Sequence, residues 1–460
     1  MAIIMTTMPI AIAAIPIFII GAETLLLYDL LSMMRFAMKY SKFNRKMCYL
    51  FTKNTVLLFV LTLLSCGKLF TSEDQSTKHE VAVGSKIPDA AQTDKGTPIV
   101  GANRTEKYIP LLKGKRVGIV ANQTSVIFKD KNRTHLVDSL LALQVNVVTV
   151  FSPEHGFRGQ ADAAEHVADG VDTKTGLPII SLHGKTRKPL PEHLKAIDVM
   201  VFDIQDVGVR FYTYISTLHY VMEACAENNI PLIILDRPNP NGNYVDGPVL
   251  NPKHKSFVGM HPVALVHGMT IGEYAQMING EKWLANGAQC NITVVTVENY
   301  THDTPYSLLI KPSPNLPNDK AINLYPSLGL FEGTTINAGR GTDFQFQRYG
   351  APFFPKTEFS YTPLPNEGSK HPKHEGKLCY GVDLTQEPEL HSFTLKYIID
   401  AYQKTPKSDT FFGPTFTIHA GNETLQKQIA QGLSEAEIRK SWKEGLENYK
   451  TMRKKYLLYP

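Results

Sequence analysis

The chain has 460 residues, 43% of them hydrophobic, which is enough to bury one large core or two smaller ones. Its formal charge of +5 gathers before residue 67, where Arg35, Lys39, Lys42, Arg45, Lys46 and Lys53 face only Glu23 and Asp29. The rest is close to neutral and carries no basic stripe, which argues against binding nucleic acid through a charged face. The five cysteines (Cys48, Cys66, Cys225, Cys290 and Cys379) include no CxxC pair. That spacing supports neither a zinc site nor a redox pair, and buried, unpaired thiols are expected after the leader.

Residues 1–66 read as a leader. Val56 to Ser65 is an apolar run of signal-peptide length behind a basic cluster. It ends in Leu63-Leu64-Ser65-Cys66-Gly67, which resembles the lipobox of bacterial lipoproteins. The resemblance implies that Cys66 is lipidated and becomes the mature N-terminus of an exported protein. Such a protein is anchored to a membrane through lipid and faces the periplasm or the cell surface. An earlier apolar stretch, Ile3 to Met34, is interrupted by Pro9 and Pro16. Either Met47 is the real start, the reading favoured because two consecutive export signals serve no evident purpose, or this stretch is an additional membrane segment. Residues 67–106 are polar and turn-rich, as a tether would be.

From Tyr108 a rhythm begins. Apolar, β-rich runs at Arg116 to Ala121, Val145 to Phe151, Pro178 to Leu182, Asp198 to Ile204 and Pro231 to Leu235 alternate with helical patterns, among them Leu136 to Leu143 and Ser216 to Asn228. Continuous Val/Ile runs between helices predict a parallel sheet covered on both faces. Residues 107–247 are therefore expected to form a Rossmann-like, doubly wound α/β domain of about five strands. Beyond it, residues 248–460 are richer in proline and glycine, and strands such as Ile292 to Val297 no longer alternate closely with helices. A smaller mixed α+β domain is expected there. Capping boxes at Thr270/Glu273 and Ser434/Glu437 predict two of its helices.

Ligands of open parallel sheets bind beyond the carboxyl ends of the strands. Asn122 and Gln123 follow the first expected strand, and Glu154, His155 and Arg158 follow the second. His183 follows the third. Gln205, Asp206, Arg210, Tyr212 and Tyr214 follow the fourth, and Arg237 and Asn239 the fifth. Five successive ends this dense in polar, charged and aromatic side chains predict a site for a polyhydroxylated ligand. Glu154 sits on a turn set by Pro153 and Gly156. To protonate a leaving oxygen it needs a raised pKa, which partial burial beside Phe151 and Phe157 would supply. Its structural alternative is a loop-capping carboxylate. Asp206 and Arg210 are alternatively a mutual pair, and Glu332 a partner of Arg340. Tyr212 and Tyr214 alternate as in extended chain, so one of them is expected to face a cleft.

The second half offers Asn315 in Lys311 to Pro317, Glu332, and Arg340 between Gly339 and Gly341. Those glycines suggest close backbone approach and a fixed guanidinium. Glu154-His155 and Glu165-His166 fit no tight helical zinc spacing, so no metal is expected. GxSxG, Walker A, GxGxxG and HExxH motifs are absent from the sequence, which removes support from serine-hydrolase, nucleotide-dependent and zincin readings.

The segments FSPEHGFRG, TGLPIISLHG, DIQDVGVRFYTYISTL, LDRPNPNG, HGMTIGEYAQMIN, PSPNLP, YPSLGLFEGTTINAGRGT and SWKEGLENYKTMRKKYLLYP resemble the NamZ-type exo-β-N-acetylmuramidase family. The likeness spans about Lys107 to Pro460. It implies a Rossmann-like domain joined to a smaller C-terminal domain, with the active site in the cleft between them. It further implies release of terminal, non-reducing N-acetylmuramic acid from peptidoglycan fragments, with no cofactor. Carried over residue by residue, it makes Glu154 of the PEHG motif the catalytic acid. Glu165 is nominated as its partner, with Asp206 and Glu332 as rivals. Muramic acid bears a lactyl carboxylate that calls for a planar cationic fork, and Arg158, Arg210, Arg237 and Arg340 are candidates. A non-catalytic lipoprotein that captures muropeptides or sugars would share the cleft without needing the acid. A hydrolase of another amino sugar is the other competing reading.

Overall fold

Short runs in which nearly every residue is apolar can satisfy their backbone only by pairing, and here they pair side by side in parallel. The computed structural model describes residues 96–129, 132–158 and 169–460. The leader with Cys66, most of the tether and Glu165 lie outside the described residues. The strands are β1 (Val117–Ala121), β2 (Val126–Lys129), β3 (Asn132–His135), β4 (Val147–Ser152), β5 (Gly170–Val171), β6 (Pro178–Ser181), β7 (Val199–Asp203), β8 (Leu232–Leu235) and β9 (Ile292–Val295). The main sheet runs β5-β6-β4-β1-β7-β8-β9, and β2 and β3 form a separate hairpin. All neighbours in the main sheet are parallel except β5, which lies antiparallel on the edge.

The five expected strands are present, joined by β9 from beyond residue 248. Counting the parallel strands in chain order, the spatial order is third, second, first, fourth, fifth, sixth. That is the doubly wound arrangement, with its direction reversing between β1 and β7. The β2–β3 hairpin was not legible, because Asn132–His135 carries no apolar alternation.

Helices cover both faces: α1 (Thr105–Leu112), α2 (Leu136–Ala142), α3 (Tyr214–Glu227) and α4 (Ile271–Gly280). The pleat sorts the strand residues between them. Val117, Ile119 and Ala121 join Tyr108 and Leu112 of α1 and Leu136 and Leu140 of α2 in one cluster. Val120, Phe202 and Ile234 point the other way, against Leu218 and Met222 of α3 and Tyr274 and Ile278 of α4. Burying each such side chain contributes roughly 1.5–3 kcal/mol.

That second cluster continues without a break into the remainder of the chain. It takes in Leu324 of α5 (Asp319–Leu328), Ile398 of α6 (Lys396–Lys404) and Ile438 and Trp442 of α7 (Glu435–Arg453). A small antiparallel sheet, β10 (Arg348–Ala351), β12 (Cys379–Asp383) and β11 (Ser360–Tyr361), completes the mixed α+β part. Both expected capping boxes are formed, Thr270 with Glu273 on α4 and Ser434 with Glu437 on α7. The closing residues tie back to the sheet: Tyr459 donates its hydroxyl to Asp236 at 2.6 Å, and the Leu458 amide bonds Glu273. Cys225, Cys290 and Cys379 are buried and unbridged.

Candidate active site

A cavity of about 370 Å³ opens where the sheet reverses its winding, beyond the carboxyl ends of β4 and β7. Its walls come from both parts of the chain. Glu154 and His155 follow β4; Phe211, Tyr212, Thr213 and Tyr214 follow β7; Asn315, Tyr325, Glu332 and Arg340 come from the second half.

Glu154 is delivered by a tight turn. The Gly156 amide donates back to the Pro153 carbonyl at 3.1 Å, while His155 and Gly156 take φ of 70° and 79°. A non-glycine residue in that left-handed region costs energy and persists only where its surroundings enforce it. One carboxylate oxygen of Glu154, Oε2, accepts a 2.6 Å hydrogen bond from the Thr213 hydroxyl. The other, Oε1, lies 3.9 Å from His183 Nε2, and the Glu154 side chain keeps 14% of its surface exposed. Tyr214 donates to the Glu154 backbone carbonyl at 3.5 Å. Burial, and then the charge of Glu154, push the Tyr214 phenol well above its ordinary range, so it remains protonated.

Another stretch of wall is ionic. Arg340 pairs with Glu332 at 3.0 Å, and its second Nη donates to the Gly368 carbonyl at 3.0 Å. Gly339 and Gly341 flank it at φ of 78° and 80°. A side chain at Gly339 would meet the Phe344 carbonyl at 2.5 Å, which fixes the loop as the sequence suggested. Lys373 sits behind, donating to the carbonyls of Phe331 and Glu332 at 2.7 and 3.2 Å. Burial alone would raise the Glu332 carboxyl. The charges of Arg340, Lys373 and His419 outweigh it and hold Glu332 below the usual range. Arg340 and Lys373 therefore both lie against the Glu332 carboxylate beside the cavity.

Tyr325 spans the gap between these two regions, edge-on to Phe211 at 5.3 Å and to Phe346 at 4.8 Å. Phe211 fits only because residue 329 is glycine: a side chain there would lie 2.4 Å from the ring. These rings give the cavity apolar faces next to its charged ones, as sugar sites require.

Of the residues expected at the site, Glu154, His155, Tyr212, Tyr214, Asn315, Glu332 and Arg340 line the cavity. Both tyrosines do so, 4.8 Å apart, although alternation predicted one; the segment is a turn entering α3 rather than extended chain. The others are committed elsewhere. Asn122 is fully buried and holds Thr124 and Tyr214. Gln123 donates to the Lys311 and Pro312 carbonyls. Arg158 pairs with Asp172 and Asp138.

Gln205 bridges the Asp206 and Pro238 carbonyls, and Asn239 holds Met269 and Asn241. Asp206 accepts from the Gly208 amide at 2.7 Å and faces His267, not Arg210. Arg210 is completely buried and donates to the carbonyls of Pro248, Val263, His419 and Ala420, so it clamps backbone. Arg237 grips Asp203 through two bonds of 2.6 and 2.9 Å. Among the four arginines proposed to read a carboxylate, Arg340 is the one on the cavity. Thr213, Tyr325, Lys373 and His419 carried no sequence signal, because turn and helix positions far apart in the chain converge only in the fold. No group of three or more metal-competent side chains gathers among the described residues.

Fold and cavity together define a Rossmann-like α/β protein with a carboxyl group and an ionic wall sharing one sugar-sized pocket. A family model described as "Exo-beta-N-acetylmuramidase NamZ, N-terminal" matches residues 117–320, and one described as "Exo-beta-N-acetylmuramidase NamZ, C-terminal" matches residues 323–459. The chain is 37% identical over 436 residues to "Peptidoglycan beta-N-acetylmuramidase NamZ" of Bacillus subtilis (strain 168), covering 88% of this chain and 100% of that one. Two crystal structures of DUF1343 family proteins from Bacteroides fragilis also match. They have TM-scores of 0.73 and 0.66 and identities of 47% and 28%, and each covers 79% of this chain and 99% of its own. The chain belongs to the NamZ family.

Proposed function

We propose that this protein is an exo-acting glycoside hydrolase that removes terminal, non-reducing N-acetylmuramic acid from peptidoglycan fragments, with Glu154 as the general acid. The reading rests above all on one observation: Glu154 and the Arg340–Glu332 pair line the same cavity of about 370 Å³. A space of that size takes about one sugar ring, which suits attack on a chain end rather than mid-chain.

In this reading the lactyl carboxylate lies toward Arg340, whose planar guanidinium can receive it. Aromatic faces of Phe211, Tyr325 and Phe346 pack on the ring. The bridging oxygen then meets Glu154, whose proton passes to it as the bond to the anomeric carbon breaks. The aglycone sugar leaves as an alcohol, and the anomeric carbon finally gains the oxygen of water. Glu332 is engaged by Arg340 and Asp206 by the Gly208 amide, which leaves Glu165 as the nominated second carboxyl group.

Glu154→Gln, tested on a chromogenic N-acetylmuramic acid glycoside, is expected to lose at least about 100-fold in kcat, the lower end of what general acid catalysis contributes. Binding of free N-acetylmuramic acid should persist. Unchanged turnover removes the acid role. A protein that binds the sugar but turns over no muramic acid glycoside, even as wild type, is a capture lipoprotein instead.

Export and anchoring are part of the proposal and draw support from the apolar run Val56 to Ser65 ending at Cys66. Attachment is assigned to lipid on Cys66 by the likeness of Leu63 to Gly67 to a lipobox. Cys66→Ala should shift the protein from the membrane to the soluble fraction; equal membrane retention would refute the anchor.

A further inference from the structure

We infer that Tyr325 is a specificity-determining residue whose hydroxyl donates a hydrogen bond to the acetamido carbonyl of the bound sugar, so that the cavity selects an N-acetylated ring. The inference rests on the reading above, which sets the anomeric carbon at Glu154 and the lactyl group toward Arg340.

Three tyrosines line the cavity, and two of them are committed to its wall. Tyr212 and Tyr214 both donate to the Pro312 carbonyl, at 2.7 and 3.3 Å. The Tyr325 hydroxyl bonds none of the described residues, and its oxygen is not one of the polar atoms shut away from solvent without a partner. Its donor is therefore open to whatever fills the cavity. The ring that carries it is fixed by Phe211, Tyr212 and Phe346, with centroids 5.3, 6.0 and 4.8 Å away. A side chain held this way loses little freedom when a ligand arrives.

The charges around Tyr325 place its hydroxyl. Burial, then Glu332 and Glu154, push the phenol well above its ordinary range, while Arg340 opposes them and Asp206 adds to the rise. The group stays protonated and acts as a donor. Because Glu154 and the Arg340–Glu332 pair all act on it, it lies between the acid and the ionic wall. On N-acetylmuramic acid the scissile bond is at C1, the acetamido group at C2 and the lactyl ether at C3. Substituents of a pyranose follow one another round the ring. With C1 at Glu154 and the C3 substituent toward Arg340, the group that meets Tyr325 is the acetamido at C2. A phenol and an amide carbonyl are matched as donor and acceptor. A sugar without the acetamide would leave the hydroxyl unpaired, and such a loss discriminates more sharply than an apolar contact does.

Tyr325→Phe deletes the donor and keeps the ring with its packing. Calorimetry on wild type and variant measures binding of free N-acetylmuramic acid and of its 2-deoxy analogue, which keeps the lactyl group but has hydrogen in place of the acetamide. Thermal melts confirm folding. For N-acetylmuramic acid the affinity should fall about fivefold, the worth of one neutral hydrogen bond. For the 2-deoxy analogue, which the wild type should bind more weakly, it should not change. Equal losses on both sugars overturn the inference, because the hydroxyl would then serve another part of the ring. Unchanged affinity for both also overturns it. Turnover of a chromogenic N-acetylmuramic acid glycoside separates the two levels. If Glu154→Gln is as active as the wild type, the acid assignment fails, and the binding ratio still decides the role of Tyr325. If Glu154→Gln is inactive while Tyr325→Phe binds both sugars as the wild type does, only the role of Tyr325 fails.

Discussion

Two of the molecule's arginine–carboxylate pairs do opposite things. Arg237 and Asp203 meet beneath the end of β7, with side chains 3% and 0% exposed, through two bonds reinforced by the Val126 carbonyl. Arg340 and Glu332 meet at the cavity, 19% and 28% exposed, through one bond, with Lys373 close by. The first pair is closed: every charge has its counterpart, and solvent or ligand has no access. The second is open, since both side chains keep exposed surface at the cavity. Access, rather than residue type, distinguishes a pair that holds a fold from one that can bind a ligand.

The comparison breaks most visibly if one arginine is removed at a time. Arg237→Ala strands Asp203 in the core and is expected to cost about 3–5 kcal/mol of stability, a large part of what a domain has. Arg340→Ala leaves its partner within reach of water and should cost about 1 kcal/mol or less. Urea unfolding of both variants measures this. Comparable losses would show that the cavity pair is structural as well. Replacing Arg237 and Asp203 together with Met and Leu should recover much of the loss, since the desolvation cost goes with the charges.

A second contrast lies in the polar groups behind the cavity. His219 is buried on α3, hydrogen-bonded to His261 at 2.9 Å and 3.6 Å from Glu223, with Lys188 bonded to that same glutamate. Burial, only partly offset by Glu223, lowers its pKa to about 4. The native imidazole is thus neutral across a range in which the unfolded one, near 6.5, takes a proton. Stability is therefore undiminished above about pH 6.5, falls as the pH drops toward 4, and levels off below that. For His219 alone the loss amounts to at most about 3 kcal/mol. Urea midpoints at pH 7 and pH 5 should differ by less in His219→Gln than in the wild type. Equal differences would place the acid sensitivity elsewhere.

These contrasts also explain what could be read in advance. The strands were legible because Val117–Ala121 and Leu232–Leu235 have no polar position, which only a doubly covered parallel sheet tolerates. The turn bearing Glu154 was legible through its proline and glycine, and family resemblance gave it a role. Asn122, Gln205, Arg210, Arg237 and Asn239 misled because loops at the end of a buried sheet must satisfy their own carbonyls and amides. The side chains that do this are the same types that bind sugars. Arg210 is the sharpest case: it reads as a cleft residue yet serves four backbone carbonyls. Thr213 failed in the opposite sense, since it carried no signal in the sequence and yet touches the proposed acid.

A substitution that keeps the charge tests whether the open pair reads the substrate. Arg340→Lys preserves the charge but not the planar fork, so Glu332 and the Gly368 carbonyl can no longer both be held while a carboxylate is received. One lost charge-assisted bond is worth about 1.5 kcal/mol, roughly tenfold in kcat/KM. That loss should fall on an N-acetylmuramic acid glycoside and spare any residual activity on the matching N-acetylglucosaminide, which lacks the lactyl carboxylate. If both substrates suffer alike, Arg340 merely shapes the cavity.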